Sequence, residues 1–323
     1  MNQPLLVGGF PSGGTDLTKT ILNAHPDVHL IGEMPSLAGL AASGFTSDTR
    51  FGSQEEIQIF KDNLKNLDRY GNLESVNFDF SNLTSADNPL SLETILRHTF
   101  SEQNTDVWGS KTPQFTEDMM VLSELLPNAK FLIVVRDVRD VCLSWANKWE
   151  KDKLWCASKW ADRMSNGLEV AKNLPNDRTH FVKFEQLLDN PQEVCRGICD
   201  FVGIPFSTRM LEHHLHTEQH IDGKLNYGQA IKRDNLEKWR TALAPQTVQR
   251  IEEIAYTTMG QLDYEPAFAS GPRPLTTWEL RRGQAHDIRT MITVGNRASQ
   301  QNTIVQRLRN TAAELRKWVS HHS

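Results

Sequence analysis

Apolar residues occur along this chain in short stretches that alternate with amphipathic ones. The short stretches predict buried strands, and they lie at Leu5–Val7, Val28–Ile31, Phe131–Val135 and His180–Phe184. Helical patterns cover Leu17–Ala24, Val138 towards Trp149, Pro191–Val202 with Gly203 as the cap, and Pro245–Met259. Strands that alternate with helices predict an α/β fold of three layers, in which helices flank a central parallel sheet.

A weaker strand signal stands in the middle of the chain. Val107–Gly109 predicts a short strand, and the polar run Ser110–Pro113 predicts a loop after it. A helix is expected over about 115–126, ended by Pro127. Ligands of parallel sheets bind beyond the carboxyl ends of the strands, so the loops at those ends are the candidate site.

Composition changes along the chain and predicts its division. Residues 41–106 are polar and predict a cap of helices and loops inserted into a domain that spans 1–265. Beyond Pro266 come a linker at Ser270–Pro274 and, at Thr303–Val319, an amphipathic helix. Residues 266–323 therefore predict a basic linker and a C-terminal helical extension.

Charge is distributed unevenly between these two parts. Residues 266–323 hold nine basic and three acidic residues, a net charge of +6 against −5 for the whole chain, which leaves −11 on residues 1–265. A basic helix indicates an anionic membrane surface or a second subunit as partner. The alternative is that this helix packs on the domain 1–265. Residues 1–265 lack the interleaved basic and aromatic residues that would indicate binding to nucleic acid.

The remaining composition favours a soluble globular protein. No run of 18 apolar residues and no signal-peptide pattern is present, so a cytoplasmic protein is expected. Four cysteines at Cys142, Cys156, Cys195 and Cys199 lack paired zinc spacing, which favours buried reduced thiols and no metal.

The glycine-bearing turn after the first strand is the first candidate for chemistry. Phe10-Pro11-Ser12-Gly13-Gly14-Thr15-Asp16 joins a strand to a helix, and such turns cradle anions with backbone N–H groups and the helix dipole. A plain tight connection is the alternative. Gly14 is followed by Thr15 rather than by a lysine, which disfavours a magnesium-dependent ATPase.

Arg136 is the second candidate, at the end of the most apolar strand. Ser144 follows eight residues later, on the predicted helix. A planar guanidinium with a nearby hydroxyl can clamp a phosphate. The alternative is a structural ion pair of Arg136 with Asp137 or Asp140, for which Arg139 competes.

These segments together resemble the sulfotransferases that use 3′-phosphoadenosine-5′-phosphosulfate (PAPS). In that family a Pro-(Lys/Arg)-Ser-Gly-Thr loop binds the 5′-phosphosulfate, and an Arg-Asp-x-Arg-Asp-x-x-x-Ser segment binds the 3′-phosphate. The blocks of this chain that are similar come in family order over residues 5–265: Phe10–Asp16, Leu22–Val28, Gly32-Glu33, Lys111–Pro113, Phe131–Ser144, Val182–Leu187, Cys199–Pro205 and Lys238–Arg240. The Glu33 and Lys111 blocks are closest to tyrosyl-protein and bacterial sulfotransferases.

The resemblance implies a P-loop-like fold and a role for each matching residue. Glu33 is the expected general base, and Lys111 the cation at the bridging oxygen or a proton donor. Ser12, Gly13, Gly14, Thr15 and Asp16 are expected to bind the 5′ end of the donor, and Arg136, Ser144 and Lys238 its 3′-phosphate. The alternatives are a surface or capping carboxylate for Glu33, a solvated lysine for Lys111 and a helix-surface lysine for Lys238.

Three positions depart from the family pattern. Ser12 stands where the family has a basic residue, Asp16 replaces a hydroxyl residue, and Phe184 replaces a common Tyr. An acid at Asp16 repels an anion unless its side chain turns away to cap or to pair, and Lys19 can pair with it at i,i+3. We expect Lys111 to supply the missing cation, helped by Arg233 or Lys232.

The resulting hypothesis is a sulfotransferase that moves a sulfuryl group from PAPS to an acceptor hydroxyl and releases adenosine 3′,5′-bisphosphate (PAP). The acidic body and large polar cap favour a carbohydrate, a glycoconjugate or a small metabolite as acceptor. Two alternatives stay open: a nucleotide-binding protein of this fold without catalysis, and a P-loop kinase-like phosphotransferase.

Overall fold

The computed structural model describes residues 3–34, 37–67, 89–101, 105–216, 221–222, 225–226, 231 and 233–293. Its strands are β1 Gln3–Gly9, β2 Val28–Ile31, β3 Arg50–Phe51, β4 Leu90–Ser91, β5 Val107–Lys111, β6 Lys130–Val135, β7 Thr179–Lys183, β8 Ile221–Asp222 and β9 Leu225–Asn226. The strands predicted around Leu5–Val7, Val28–Ile31 and Phe131–Val135 are confirmed.

The helices alternate with these strands as the pattern predicts. They are α1 Thr15–Asn23, α2 Leu37–Ala42, α3 Gln54–Leu67, α4 Leu92–Phe100, α5 Met119–Leu125, α6 Val138–Trp149, α7 Lys153–Asn173, α8 Phe184–Asp189, α9 Pro191–Val202, α10 His213–His216, α11 Trp239–Ala242, α12 Pro245–Gln261 and α13 Thr277–Thr293. Short 3-10 helices lie at Pro113–Thr116, Thr208–Met210 and Arg233–Asn235.

Five strands form one parallel sheet in the order β2-β5-β1-β6-β7. The strand β1 lies at its centre, with Val7 opposite Lys111 of β5 and Leu132 of β6. The predicted α/β class, a parallel sheet flanked by helices, is therefore confirmed. All five strands end at one edge, which collects the residues that follow them.

Apolar side chains fill both faces of this sheet. Leu5 and Val7 belong to a core with Leu132 and Val134 and with helices α1, α8 and α9, whereas Leu6 is buried outside that cluster. Strands buried on both faces need continuous rather than alternating apolar sequence. The run Phe131–Val135 meets this need and is almost completely buried.

Three boundaries differ from the sequence prediction. Strand β5 continues to Lys111, so this lysine ends a strand and does not lie in a loop. The helix predicted over 115–126 is divided into a 3-10 turn, begun by Pro113, and α5. Phe184, predicted as strand, begins α8.

The chain divides into two compact units, Met1–Asp137 with Asp162–Leu236, and Val138–Ala161 with Glu237–Ser323. The first contains the parallel sheet. The second contains α6, α11, α12 and α13. Helix α13 was not predicted, and the helix predicted at Thr303–Val319 lies outside the described residues, as do parts of the 41–106 cap. The division at residue 265 stays a prediction.

A buried carboxylate organises the second unit. Glu252 on α12 is completely buried and accepts hydrogen bonds from the N–H groups of Ala267, Phe268 and Ala269 at 2.8–3.0 Å. Arg139 completes its shell with a 2.7 Å bond from Nη1. Because removing a partner from a buried ion costs several kcal/mol, residues 267–269 are held firmly to α12.

An ion pair between Arg250 and Glu279 makes the second unit acid-sensitive. The hydrogen bonds from Arg250, at 2.7 and 2.9 Å, hold the pKa of Glu279 down at about 2, with further bonds from Thr276. Since the ordinary pKa is near 4.3, its contribution is present above about pH 4 and is lost as the pH falls towards 2. We expect Glu279→Gln to lower the free energy of unfolding by about 1–3 kcal/mol at pH 7 and by almost nothing near pH 2.

Urea unfolding followed at both pH values measures this difference. Glu169→Gln is the matched control, since Glu169 is an exposed carboxylate in an i,i+3 pair with Lys172 and such pairs contribute about 0–1 kcal/mol. An equal loss at both pH values for Glu279→Gln would contradict the assignment.

The state of the cysteines and the search for membrane-spanning helices both bear on the sequence predictions. All four cysteines are buried and free, as predicted, and burial raises the pKa of Cys195 to about 12. Within the part of the chain that the structure describes, no helix has the length and apolar character needed to cross a bilayer.

Candidate active site

The candidate site of the first unit forms where the parallel strands end. The loop 10–14 follows β1, Glu33 follows β2, Lys111 ends β5, Arg136 follows β6 and Phe184 follows β7. The strands are parallel and adjacent, about 4.8 Å apart. Every strand of the sheet therefore contributes a residue to the same edge.

The loop after β1 is a tight turn that needs a glycine at its last position. Gly13 N donates to Phe10 O at 2.8 Å, and Ser12 has a φ of 65°, a type II turn with Pro11 at its second position. Gly14 has a φ of 97°, and a Cβ there would overlap the Phe184 ring. The predicted glycine turn is confirmed, and it brings backbone N–H groups to the start of α1.

Arg136 and Phe184 support this loop from the side of β6 and β7. The guanidinium lies over the Phe184 ring, 4.7 Å from its centroid. Its Nη1 donates to Ser12 O at 3.1 Å and its Nη2 to Asn235 O at 2.7 Å. Arg136 is thus buried against the loop, which places a permanent positive charge beside the predicted phosphate-binding turn.

Helix α1 begins at this turn without a side-chain cap. The N-cap residue is Gly14, which has no side chain to accept a hydrogen bond from the first amides of the helix. Thr15 is buried, and Asp16 lies in the first turn. The first amides of a helix point outward and carry the positive end of its dipole. This end of α1 has the geometry of an anion site.

Lys111 joins the loop to the segment after β2. Its Nζ lies 2.6 Å from Asp16 Oδ1 and 2.8 Å from Glu33 Oε1. The lysine side chain is 4% exposed, against 44% for Asp16 and 35% for Glu33. The solvated-lysine alternative for Lys111 is therefore wrong, and so is the suggested pairing of Asp16 with Lys19, because Asp16 pairs with Lys111.

The surroundings of Lys111 set its protonation. Burial alone lowers the pKa of Lys111, but the charges and hydrogen bonds of Asp16 and Glu33 outweigh it, and the pKa is raised. Burial and the charge of Lys111 lower the pKa of Lys19, one turn along α1. Lys111 is accordingly a stable cation at neutral pH, held between two carboxylates.

Two hydroxyl residues that the sequence did not single out position Glu33. Ser110 Oγ donates to Gly32 O at 2.9 Å, and Met34 N donates to Thr112 Oγ1 at 2.8 Å. These bonds fasten both neighbours of Glu33 to the end of β5. The only sequence signal is their alternation around Lys111, since an extended chain places residues 110 and 112 on the face opposite to residue 111.

A second arginine packs behind the loop and was also missed. The Arg163 guanidinium lies 4.9 Å from the centroid of the Phe10 ring, and its Nε donates to Glu117 Oε1 at 2.6 Å. The contact fixes the ring that precedes the turn. Arg163 lies on α7, far from the loop in sequence, so no local pattern predicts it.

The remaining predicted residues are reported where the structure places them. Ser144 is half-buried on α6, and Lys238 is exposed at the start of α11; both belong to the second unit. There, Asp140 of α6 accepts a bond from Trp239 N at 3.0 Å. The roles of Ser144 and Lys238 stay predictions. Arg233 pairs with Asp189, and Lys232 lies outside the described residues.

The fold is thus an α/β fold with a sheet of five parallel strands, and the candidate site at its edge contains a glycine turn without a P-loop lysine. A profile of the sulfotransferase family matches residues 4–208, about two thirds of the chain. The chain therefore belongs to the sulfotransferase family.

Its relatives include protein-tyrosine sulfotransferases. A Drosophila melanogaster protein-tyrosine sulfotransferase is 27% identical over 296 residues, covering 84% of this chain and 53% of the relative. A putative enzyme of the same name from Caenorhabditis briggsae is 24% identical, covering 78% of this chain and 86% of the relative. The chain thus spans only about half the length of the first of them.

Solved structures agree on the fold. The sulfotransferase domain from the curacin biosynthetic pathway aligns with a TM-score of 0.55 and 18% identity, over 82% of this chain and 99% of that one. This similarity confirms the sulfotransferase-like α/β architecture.

Proposed function

We propose that this enzyme transfers the sulfuryl group of PAPS to an acceptor hydroxyl and releases PAP. The observation that carries the proposal is the joining of Glu33 and Lys111, at 2.8 Å, beside the uncapped start of α1. A carboxylate and a buried ammonium at an anion-binding turn are the base and the cation that sulfuryl transfer needs.

The chemistry follows from these groups. The acceptor oxygen forms a bond to sulfur, and the bond from sulfur to the bridging oxygen of the 5′-phosphate breaks. Its electron pair remains on the leaving phosphate. Glu33 accepts the hydroxyl proton, and Lys111 stabilises charge on the bridging oxygen. Sulfuryl transfer resembles phosphoryl transfer in charge and geometry, so positioning and electrostatics supply most of the catalysis.

The donor-binding groups are the turn and Arg136. The turn 12–16 offers the N–H groups of a helix start to the 5′-phosphosulfate. Arg136 follows the neighbouring strand β6 and is the expected ligand of the 3′-phosphate, because a guanidinium binds phosphate oxygens in pairs. Ser144 and Lys238 are expected to bind the same phosphate.

The acceptor is proposed to be a hydroxyl of a carbohydrate, a glycoconjugate or a small metabolite. Residues 1–265 carry a net charge of −11, and the predicted cap 41–106 is rich in Ser, Asn and Asp. Polar cap residues favour hydrogen bonds to a polyol over contacts with a flat apolar phenol.

A tyrosine side chain in a peptide is the second candidate acceptor. The Drosophila relative carries the name protein-tyrosine sulfotransferase and is 27% identical to this chain. Its acceptor chemistry, a phenol hydroxyl, is compatible with the same base and cation.

Calorimetry with PAP tests the donor directly. We expect PAP to bind and adenosine 5′-phosphate, which lacks the 3′-phosphate, to bind at least about a hundredfold more weakly, because charge-assisted bonds contribute about 1.5–3 kcal/mol each. Equal affinities for the two nucleotides would contradict the assignment of Arg136.

Sulfuryl transfer is then measured from radiolabelled PAPS with oligosaccharide, small-alcohol and tyrosyl-peptide acceptors. Label on an oligosaccharide or alcohol supports the first acceptor, and label on the peptide the second. Binding of PAP with no label transferred to any acceptor favours the non-catalytic alternative. Magnesium-dependent ATP binding without PAP binding favours the kinase-like alternative.

A further inference from the structure

We propose that Asp16 is a positioning residue that draws the Lys111 ammonium to the glycine turn and so supplies this turn with the cation that its own sequence lacks. The inference rests on the proposed function and assigns a part in it to a residue whose charge opposes an anionic donor.

The turn itself carries no positive charge. Phe10-Pro11-Ser12-Gly13-Gly14-Thr15 contains only neutral residues, and the first charged residue after it is Asp16. Charge that develops on a leaving phosphate needs a fixed positive partner in a site shielded from water. That partner has to come from another strand.

Arg136 contacts the turn through Ser12 O and is the expected ligand of the 3′-phosphate. Lys111 is the cation that the structure brings to the first turn of α1. Its Cα lies on β5, next to β1, opposite Val7. Its side chain is buried, and its Nζ ends 2.6 Å from Asp16 Oδ1, in the first turn of α1. The carboxylate thus fixes the ammonium at the start of the helix, where the donor's phosphosulfate is expected.

Glu33 holds the same ammonium from the opposite side. It lies after β2, the strand beyond β5, and its Oε1 is 2.8 Å from Nζ. With both carboxylates present, the ammonium lies between the base and the turn. Without Asp16, Glu33 is its remaining carboxylate partner, and the ammonium moves towards the base.

This movement has two opposite consequences. Loss of the Asp16 charge removes repulsion of the donor, so the anion binds more tightly. The ammonium, now paired with Glu33 alone, withdraws from the leaving oxygen and lowers the proton affinity of the base, so turnover falls. A residue with a purely structural role would not separate binding from turnover in this way.

The test compares Asp16→Asn with the wild-type enzyme. We expect the variant to bind PAP at least threefold more tightly, by calorimetry, while kcat for sulfuryl transfer falls at least tenfold. Asp16→Glu keeps the charge and is expected to retain at least a third of the wild-type kcat. Asp27→Asn is the matched control, because Asp27 precedes β2, at the other edge of the sheet, and its loss changes the net charge equally.

A cation placed on the turn gives a sharper test. In Ser12→Lys the turn carries its own ammonium. Adding Asp16→Asn to this variant is therefore expected to lower kcat at most about threefold, whereas the same change in the wild type lowers it at least tenfold. An unchanged cost in the Ser12→Lys background would overturn the proposal. So would a parallel loss of affinity and turnover, or a gain in both, in Asp16→Asn.

Failure of the proposed function looks different from failure of this inference. Absence of PAP binding by the wild type overturns the proposed function. The role of Asp16 is then tested by a measurement that needs no donor, nitrogen NMR of the lysine side chains. Lys111 faces Asp16, Glu33 and Lys19, and its pKa is expected to fall in Asp16→Asn and to stay unchanged in Asp27→Asn. An unchanged pKa in Asp16→Asn overturns the inference.

Discussion

Replacing Lys111 by Met is expected to lower kcat for sulfuryl transfer about a thousandfold while PAP still binds. Lys111 is the buried cation between Glu33 and the glycine turn. Removing one preorganised group that stabilises transition-state charge typically costs a hundred- to a thousandfold in kcat. The upper figure applies because no residue of the turn 10–15 is charged.

Binding and catalysis are measured separately to interpret this variant. Calorimetry reports PAP affinity, and single-turnover transfer from PAPS reports the chemical step. Lys172→Met is the matched control, since Lys172 is an exposed lysine on α7, 65% accessible, and its loss is expected to leave kcat within twofold. Near-full turnover of Lys111→Met would remove Lys111 from the mechanism.

Gly14→Ala is expected to destabilise the protein by about 2–5 kcal/mol and to abolish measurable PAP binding. A side chain at a φ of 97° costs about 1–2 kcal/mol. The added Cβ also overlaps the Phe184 ring, and overpacking costs about 1–3 kcal/mol more. Because the Arg136 guanidinium lies over the same ring, displacement of the ring is expected to move the proposed ligand of the 3′-phosphate as well.

Gly44→Ala separates these two costs. Gly44 has a similar φ of 90°, and a Cβ there meets no atom within 4 Å. We expect it to lose about 1 kcal/mol and to bind PAP normally. Urea unfolding and calorimetry of both variants provide the comparison. Equal stabilities of the two variants would mean that Phe184 yields to the new side chain.

The sheet was predictable from sequence because its strands are buried on both faces. The apolar runs Phe131–Val135 and Leu5–Val7 are typical of core strands, and both are buried. The glycines of the turn 10–14 indicate a turn. The end of β5 was mistaken for a loop because Ser110, Lys111 and Thr112 are polar. They are buried, and their partners lie on α1 and in the segment that follows β2.

The candidate site was only partly predictable for the same reason. Resemblance to the family identified Glu33, Lys111 and Arg136, whereas their mutual arrangement depends on contacts between residues far apart in sequence. The Lys111–Asp16 pair joins residues 95 positions apart, and i,i+3 spacing pointed to Lys19 instead. Helix α13 escaped prediction because its arginine-rich sequence offers few apolar positions.

The shell around Glu252 limits how the protein can be shortened for expression. A fragment that ended at residue 265 would remove three N–H donors from a completely buried carboxylate and leave Arg139 to compensate it. Arg250 would lose the carbonyls of Arg273 and Pro274 together with Glu279. A soluble fragment for crystallisation therefore has to extend past Glu279, whatever the residues after α13 contribute.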